Sequence, residues 1–293
     1  MNELAFVLPL LFATLRLATP LCFAAMGGFM SERSGVVNVA LEGFMLVGAF
    51  AGAVAGVAAE SAWMGWGAAL MAGLLIGALF AFFVIELKAD QIITGMAFNL
   101  LIMGAIPFIT KILYSSTGST PPLGVDDRFD FEPILMIGLL VLGLHFWLYK
   151  MRSGLWLQFA GEHPEALLSS GVSLRRVRWV SVCLSGAFAA CGGATLSLYL
   201  ASSYSPLMTG GRGFMALAAL IFGGWRPVPA ALACLLFGFA DAVQIRLQGV
   251  QVFGVEIPVQ FVQILPYIVT IVALAGFIGN RRAPKALGSE TYL

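Results

Sequence analysis

The sequence predicts an all-α, polytopic transmembrane helical bundle, and three observations carry that prediction. Hydrophobic residues fill 60% of the 293 positions and charged residues only 11%, less than half of the ~25% that a soluble domain carries. Mean hydropathy is +0.94. Apolar runs of 18 or more residues recur, each long enough to cross ~30 Å of hydrocarbon. None alternates polar and apolar positions as the ~10-residue strands of a membrane barrel do. A single transmembrane domain over residues 1–293 is expected.

About eight or nine spans follow, with apolar segments at 4–30, 38–59, 63–86, 91–113, 133–150, 179–203, 213–224, 227–246 and 258–279. The first is interrupted by Arg16, Thr19 and Pro20, and reads either as one kinked span or as an interfacial helix followed by a short one, because proline frees a backbone carbonyl. The N-terminus has no basic stretch and no small-residue cleavage site, so no cleaved signal peptide is expected. Gly48, Gly52 and Gly56 recur every fourth residue in the second segment, and Gly73 and Gly77 in the third; such stripes let membrane helices approach closely. The run 213–224 is too short to span and ends at Gly223-Gly224-Trp225-Arg226-Pro227, which predicts a broken helix. Glycine-arginine breaks at 31–35 and 209–213 face opposite sides, the mark of an inverted repeat. Cys22, Cys183, Cys191 and Cys234 sit inside apolar runs with no paired spacing and read as small buried hydrophobes.

Lysines and arginines set the orientation. With loop 151–178 and the C-terminus inside, eleven fall in the cytoplasm, among them Arg33, Arg175, Arg176, Arg178 and Lys285, and four outside, Lys111, Arg128, Arg212 and Arg246. The N-terminus then lies outside if 4–30 is one span.

A charge at mid-membrane costs about 2.5–3.5 kcal/mol on insertion scales, so polar residues in the runs need a reason. Asn38, Glu42, Gln91, Asn99 and Asp241 are the candidates for a translocation pathway. Neutral amides both donate and accept and suit hydroxyls and ring nitrogens. The other reading is interhelical hydrogen bonding, with an acid paired to Arg33 or Arg246. The two histidines, His145 and His163, form no proton relay. No Walker loop, nucleophile elbow or zinc-protease helix occurs, so no catalytic or metal-binding residue and no resident cofactor is expected. No nucleic-acid partner is expected either; the chain's surroundings are the lipid bilayer.

One polar segment stands apart: Gly161-Glu162-His163-Pro164-Glu165-Ala166-Leu167-Leu168-Ser169-Ser170-Gly171, between two long apolar runs. Nothing in a bilayer core requires it, so it serves something in water. Pro164 suits a first helical turn, Glu162 and Glu165 sit where the helix dipole favours anions, and Gly171 can close the helix in a left-handed conformation. An ordinary connector with one helical turn is the alternative.

Several blocks together resemble ABC importer permeases of the branched-chain amino acid and simple-sugar type, most closely their nucleoside-uptake branch. They are Thr19-Pro20-Leu21, Ser31-Glu32-Arg33-Ser34-Gly35-Val36-Val37-Asn38, Ala89-Asp90-Gln91-Ile92-Ile93-Thr94-Gly95, the 161–171 segment, Phe222-Gly223-Gly224-Trp225-Arg226-Pro227 and Leu265-Pro266-Tyr267. The resemblance covers nearly the whole chain. It implies a permease subunit in the inner membrane without catalytic residues, a longer sister permease, a separate ATPase that holds the ATP, and an extracytoplasmic solute-binding lipoprotein. Glu165, Ala166 and Gly171 carry over as ATPase-coupling positions beside Glu162 and Pro164; Leu167 stands where the family often has a second alanine. A sugar or amino-acid permease of the same type, and a self-sufficient ion-coupled carrier, remain open.

Overall fold

A computed structural model describes residues 2–115, 118–248 and 282–289, with six further positions between 251 and 268. The predicted span 258–279 lies outside the described residues. Ten helices occur among them: α1 (Asn2–Arg33), α2 (Leu41–Ala59), α3 (Ala62–Ala81), α4 (Gln91–Tyr114), α5 (Glu132–Lys150), α6 (Arg152–Glu162), α7 (Pro164–Ser169), α8 (Leu174–Thr195), α9 (Arg212–Phe222) and α10 (Pro227–Leu247). A π-helical turn continues α3 over Phe82–Glu86 and another continues α8 over Leu196–Leu200. A ribbon of two-residue strands, β1 (Gln251–Val252) and β2 (Val255–Glu256), follows α10.

Among the described residues, seven helical stretches are long and apolar enough to cross a membrane: Val7–Arg33, Leu41–Ala59, Ala62–Glu86, Gln91–Tyr114, Glu132–Lys150, Leu174–Leu200 and Pro227–Leu247. α1 runs unbroken through Pro9 and Pro20, which decides between the two readings of the N-terminal segment. Thr14 and Thr19 keep its polar atoms satisfied by donating one turn back, to Leu10 O and Leu15 O at 2.8 Å. α9 is only 11 residues long, about 16 Å at 1.5 Å per residue, and is a half-helix.

α8 is the central element, packed against α1, α2 and α3, while α1 packs on α10. α8 is largely buried while α5 is mostly exposed, so α5 is peripheral. The glycine stripes sit at these crossings: a Cβ on Gly48 would lie 1.9 Å from Ala190 O, and one on Gly73 would lie 2.4 Å from Gly186 O. With lipid outside, close packing of this kind holds helices together where hydrophobic exclusion does not. The loops at one end are pinned together, since Leu123 N donates to Ser202 O at 2.8 Å and Tyr204 N to Thr120 Oγ1 at 3.0 Å. Burial pushes the Tyr204 hydroxyl up to about 12, so it stays neutral.

Two boundaries differ from expectation. The second span starts at Leu41 rather than 38, because residues 34–40 form a non-helical, largely buried connector. The sixth begins at Leu174, so Arg178, expected among the basic residues of the preceding loop, lies inside the helix at 1% exposure with its Nε donating to Ser34 O at 3.2 Å.

Candidate functional site

The segment between α5 and α8 folds as two short helices. α6 is an amphipathic helix that the sequence left inside a loop; its signal is the spacing of Leu157, Ala160 and Gly161, all buried, against exposed Trp156 and Phe159. α7 opens with Pro164 at its first turn and Glu165 beside it. Pro164 and Leu167 are buried beneath it, while Glu165, Ala166, Leu168 and Ser169 are exposed. Gly171 adopts φ +81° with nothing within 4 Å of a would-be Cβ, so the turn needs glycine for its backbone conformation rather than for space. A cavity of about 380 Å³ runs along this surface, lined by Glu162, His163, Pro164, Glu165, Ala166 and Lys285.

This loop is fastened to the end of α1. Glu162 forms an ion pair with Arg33 at 2.9 Å, so Arg33, one of the two arginines expected to serve a buried acid, serves the loop. A Cβ on Gly161 would lie 2.3 Å from Arg33 O, so α6 meets α1 backbone to backbone. Residues 282–289 close the knot: Ala286 N donates to Gly161 O at 2.8 Å and Gly288 N to Gly35 O at 3.1 Å.

From there the chain re-enters the bundle as the connector 34–40. Buried irregular backbone must have its polar groups satisfied, and four predicted pathway residues are drawn into that task or lie beside it. Gln91 Oε1 accepts from Val37 N at 2.6 Å, and Asn38 Oδ1 accepts from Ala40 N at 3.0 Å while its Nδ2 donates to Ser185 Oγ at 2.9 Å. Asn99 Nδ2 donates to Val39 O at 2.9 Å and its Oδ1 accepts from Gly43 N at 2.8 Å. Gln91 Nε2 is buried with no hydrogen-bond partner among the described residues.

Glu42, next along, reaches across to the start of α9. Its carboxylate accepts from Gly211 N at 2.9 Å, from Gly213 N at 2.7 Å and from the Thr209 hydroxyl. Helix N-termini present unpaired N–H groups and a favourable dipole to an acid, and these supply the partners Glu42 has among the described residues. Gly213 is glycine because a Cβ there would lie 2.4 Å from Glu42 N. Beyond the other end of α9, Trp225 Nε1 donates to Glu32 Oε2 at 2.6 Å, both residues being buried.

Asp241 makes no hydrogen bond to any of these four residues; it sits half-buried on α10 in the field of Arg212. Arg16 is placed by Tyr199, whose carbonyl accepts from its Nη2 at 3.0 Å and whose ring lies 5.1 Å below the guanidinium. Arg16 and Arg212 share a cavity of about 520 Å³ with Leu17, Leu196, Met208 and Ile245. Glu32, Arg178, Thr209 and Trp225 are the polar site residues that sequence reasoning missed. Glu32 and Trp225 lay in quoted motifs, but only their meeting across 193 residues gives them a role.

The family model of the branched-chain amino acid transport system / permease component matches residues 10–274. The guanosine ABC transporter permease protein NupQ of Bacillus subtilis (strain 168) is 37% identical, over 94% of this chain and 94% of its own length. The nucleoside ABC transporter permease protein NupC of Lactococcus lactis subsp. cremoris (strain MG1363) is 35% identical over 92% of each. The guanosine ABC transporter permease protein NupP of Bacillus subtilis is 26% identical over 77% of this chain and 70% of its own length. A bundle of seven membrane-length helices, a half-helix and an exposed two-helix loop, matched over nearly its whole length, belongs to the family of branched-chain amino acid transport system permease components.

Proposed function

We propose that this chain is one of two permease subunits of an ABC importer that carries a nucleoside across the inner membrane, with ATP bound and hydrolysed on a separate ATPase. Its similarity to NupQ and NupC over more than nine-tenths of each chain carries the reading. Its similarity to both NupQ and NupP of one organism supports a second, related permease as partner. An extracytoplasmic solute-binding lipoprotein would deliver the solute.

The α6–α7 loop is the ATPase dock in this reading. α7 presents an acid, Glu165, and an apolar side chain, Leu168, both exposed among the described residues. The excess of Lys and Arg at that end, and its contacts with residues 282–289, support a cytoplasmic loop and C-terminus. Asn38, Glu42 and Asn99 hold the wall of the pathway by fixing the connector, Gln91 joins them through its Oε1, and Asp241 remains a candidate lining residue.

Uptake of radiolabelled guanosine into proteoliposomes carrying the whole transporter tests the proposal. It should require ATP on the cytoplasmic side and stop when the ATPase is inactivated. Uptake driven by an ion gradient through this chain alone would replace it with a carrier mechanism.

A further inference from the structure

We propose that Glu32, Arg33 and Glu42 form a transmission clamp that carries movement of the α6–α7 loop to the half-helix α9; the proposal rests on that loop docking onto the ATPase. Two carboxylates ten residues apart on one stretch of chain hold opposite ends of α9. Glu42 holds its N-terminus through Gly211 N and Gly213 N at 2.9 and 2.7 Å, and Glu32 holds the turn beyond its C-terminus through Trp225 Nε1 at 2.6 Å. Any displacement of residues 32–42 therefore moves α9 as one body.

The other side of the clamp is the loop. Arg33 pairs with Glu162 at 2.9 Å and the α1 backbone touches α6 at Gly161. Gly35, at φ +98°, is enclosed: a Cβ there would lie 2.9 Å from Arg178 Nη2, 3.2 Å from Ala286 O and 3.4 Å from Ala160 O. Close-packed contacts of this kind pass a displacement on rather than absorb it. α9 is meanwhile bounded by residues suited to turning. Gly210 and Gly211 at one end, and Gly224 and Trp225 at the other, all adopt positive φ, between 53° and 82°, and such terminal positions are where hinged elements take up rotation. One face of α9 leaves Phe214 and Ile221 exposed, while Gly213, Ala216, Ala219 and Leu220 are buried. A rotation about these hinges would move that uncovered face relative to the bundle, so α9 is the element through which loop movement opens or closes the path.

The test uses the assembled transporter, ATPase and sister permease included, in proteoliposomes, reading ATP hydrolysis and guanosine uptake side by side. Trp225→Phe removes the N–H donor while keeping an aromatic ring in the site; Glu32→Ala removes its acceptor. Both should keep the ATPase bound and hydrolysing while uptake per ATP falls about tenfold, the factor that about 1.4 kcal/mol corresponds to. Glu32→Gln, which retains an acceptor oxygen, should restore the ratio. A purely structural role predicts instead that uptake and hydrolysis fall together with the yield of complex, at an unchanged ratio, and that result overturns the clamp. Normal coupling in Trp225→Phe and Glu32→Ala overturns it as well, leaving the docking assignment untouched. Absence of the ATPase from the wild-type complex overturns both.

Discussion

At Gly48 the backbone of α2 lies against that of α8, leaving no room for a methyl group 1.9 Å from Ala190 O. Gly48→Ala should therefore force the two helices apart at the centre of the bundle and cost about 1–3 kcal/mol, the usual range for overpacking. Gly67→Ala, on α3 with nothing within 4 Å of the new atom, should be neutral or stabilising by up to about 1 kcal/mol, since alanine is the better helix former. Thermal unfolding of the two variants in the same detergent separates these outcomes, and equal melting would refute the packing argument. The glycine stripe was readable because small-residue spacing on a helix is a local pattern. The partner of Glu42 was not. Its acid needed compensation, and an arginine was the local guess, but the amides that provide it stand 169 and 171 residues further on. Only the tertiary fold brings a half-helix N-terminus to that point.

Among the elements, the long apolar helices were legible from run length alone, because crossing hydrocarbon demands about 20 apolar residues in succession. The short α7 was legible from Pro164 and Gly171, whose backbone preferences mark a helix start and stop. The connector 34–40 was legible only in part: the break at 31–35 shows in the sequence and Gly35 supplies its positive φ, but its extension to residue 40 is held from other helices by Gln91, Asn99, Ser185 and Arg178. α7 also carries its own prediction. Glu165 is exposed on its first turn, so Glu165→Lys leaves the fold intact while reversing the charge offered to the ATPase. Uptake should fall at least about tenfold, the equivalent of about 1.4 kcal/mol, with unchanged melting temperature. Wild-type ATPase binding and uptake in that variant would remove Glu165 from the docking surface.

At the scale of the whole molecule, the described residues form a bundle of membrane-length helices with a half-helix and an exposed two-helix loop. The motif Ser31–Gly35, the 161–171 segment and Trp225 were each visible as blocks of a family pattern. The structure gathers them at one end of the bundle, where Glu32 bonds Trp225 and Arg33 bonds Glu162. Family membership was within reach of the sequence because those blocks keep their order along the chain. Which residues bear mechanical load was not, since load follows contacts between blocks. The central claim, that this chain works as one part of an ATP-driven complex, is tested most directly by purifying the tagged chain from its native membrane in mild detergent and identifying what comes with it. An ATPase and a second, related permease in fixed proportion to the chain, with the ATPase weakened and the second permease retained on Glu165→Lys, is the predicted result; a monodisperse chain that binds solute without either would contradict it.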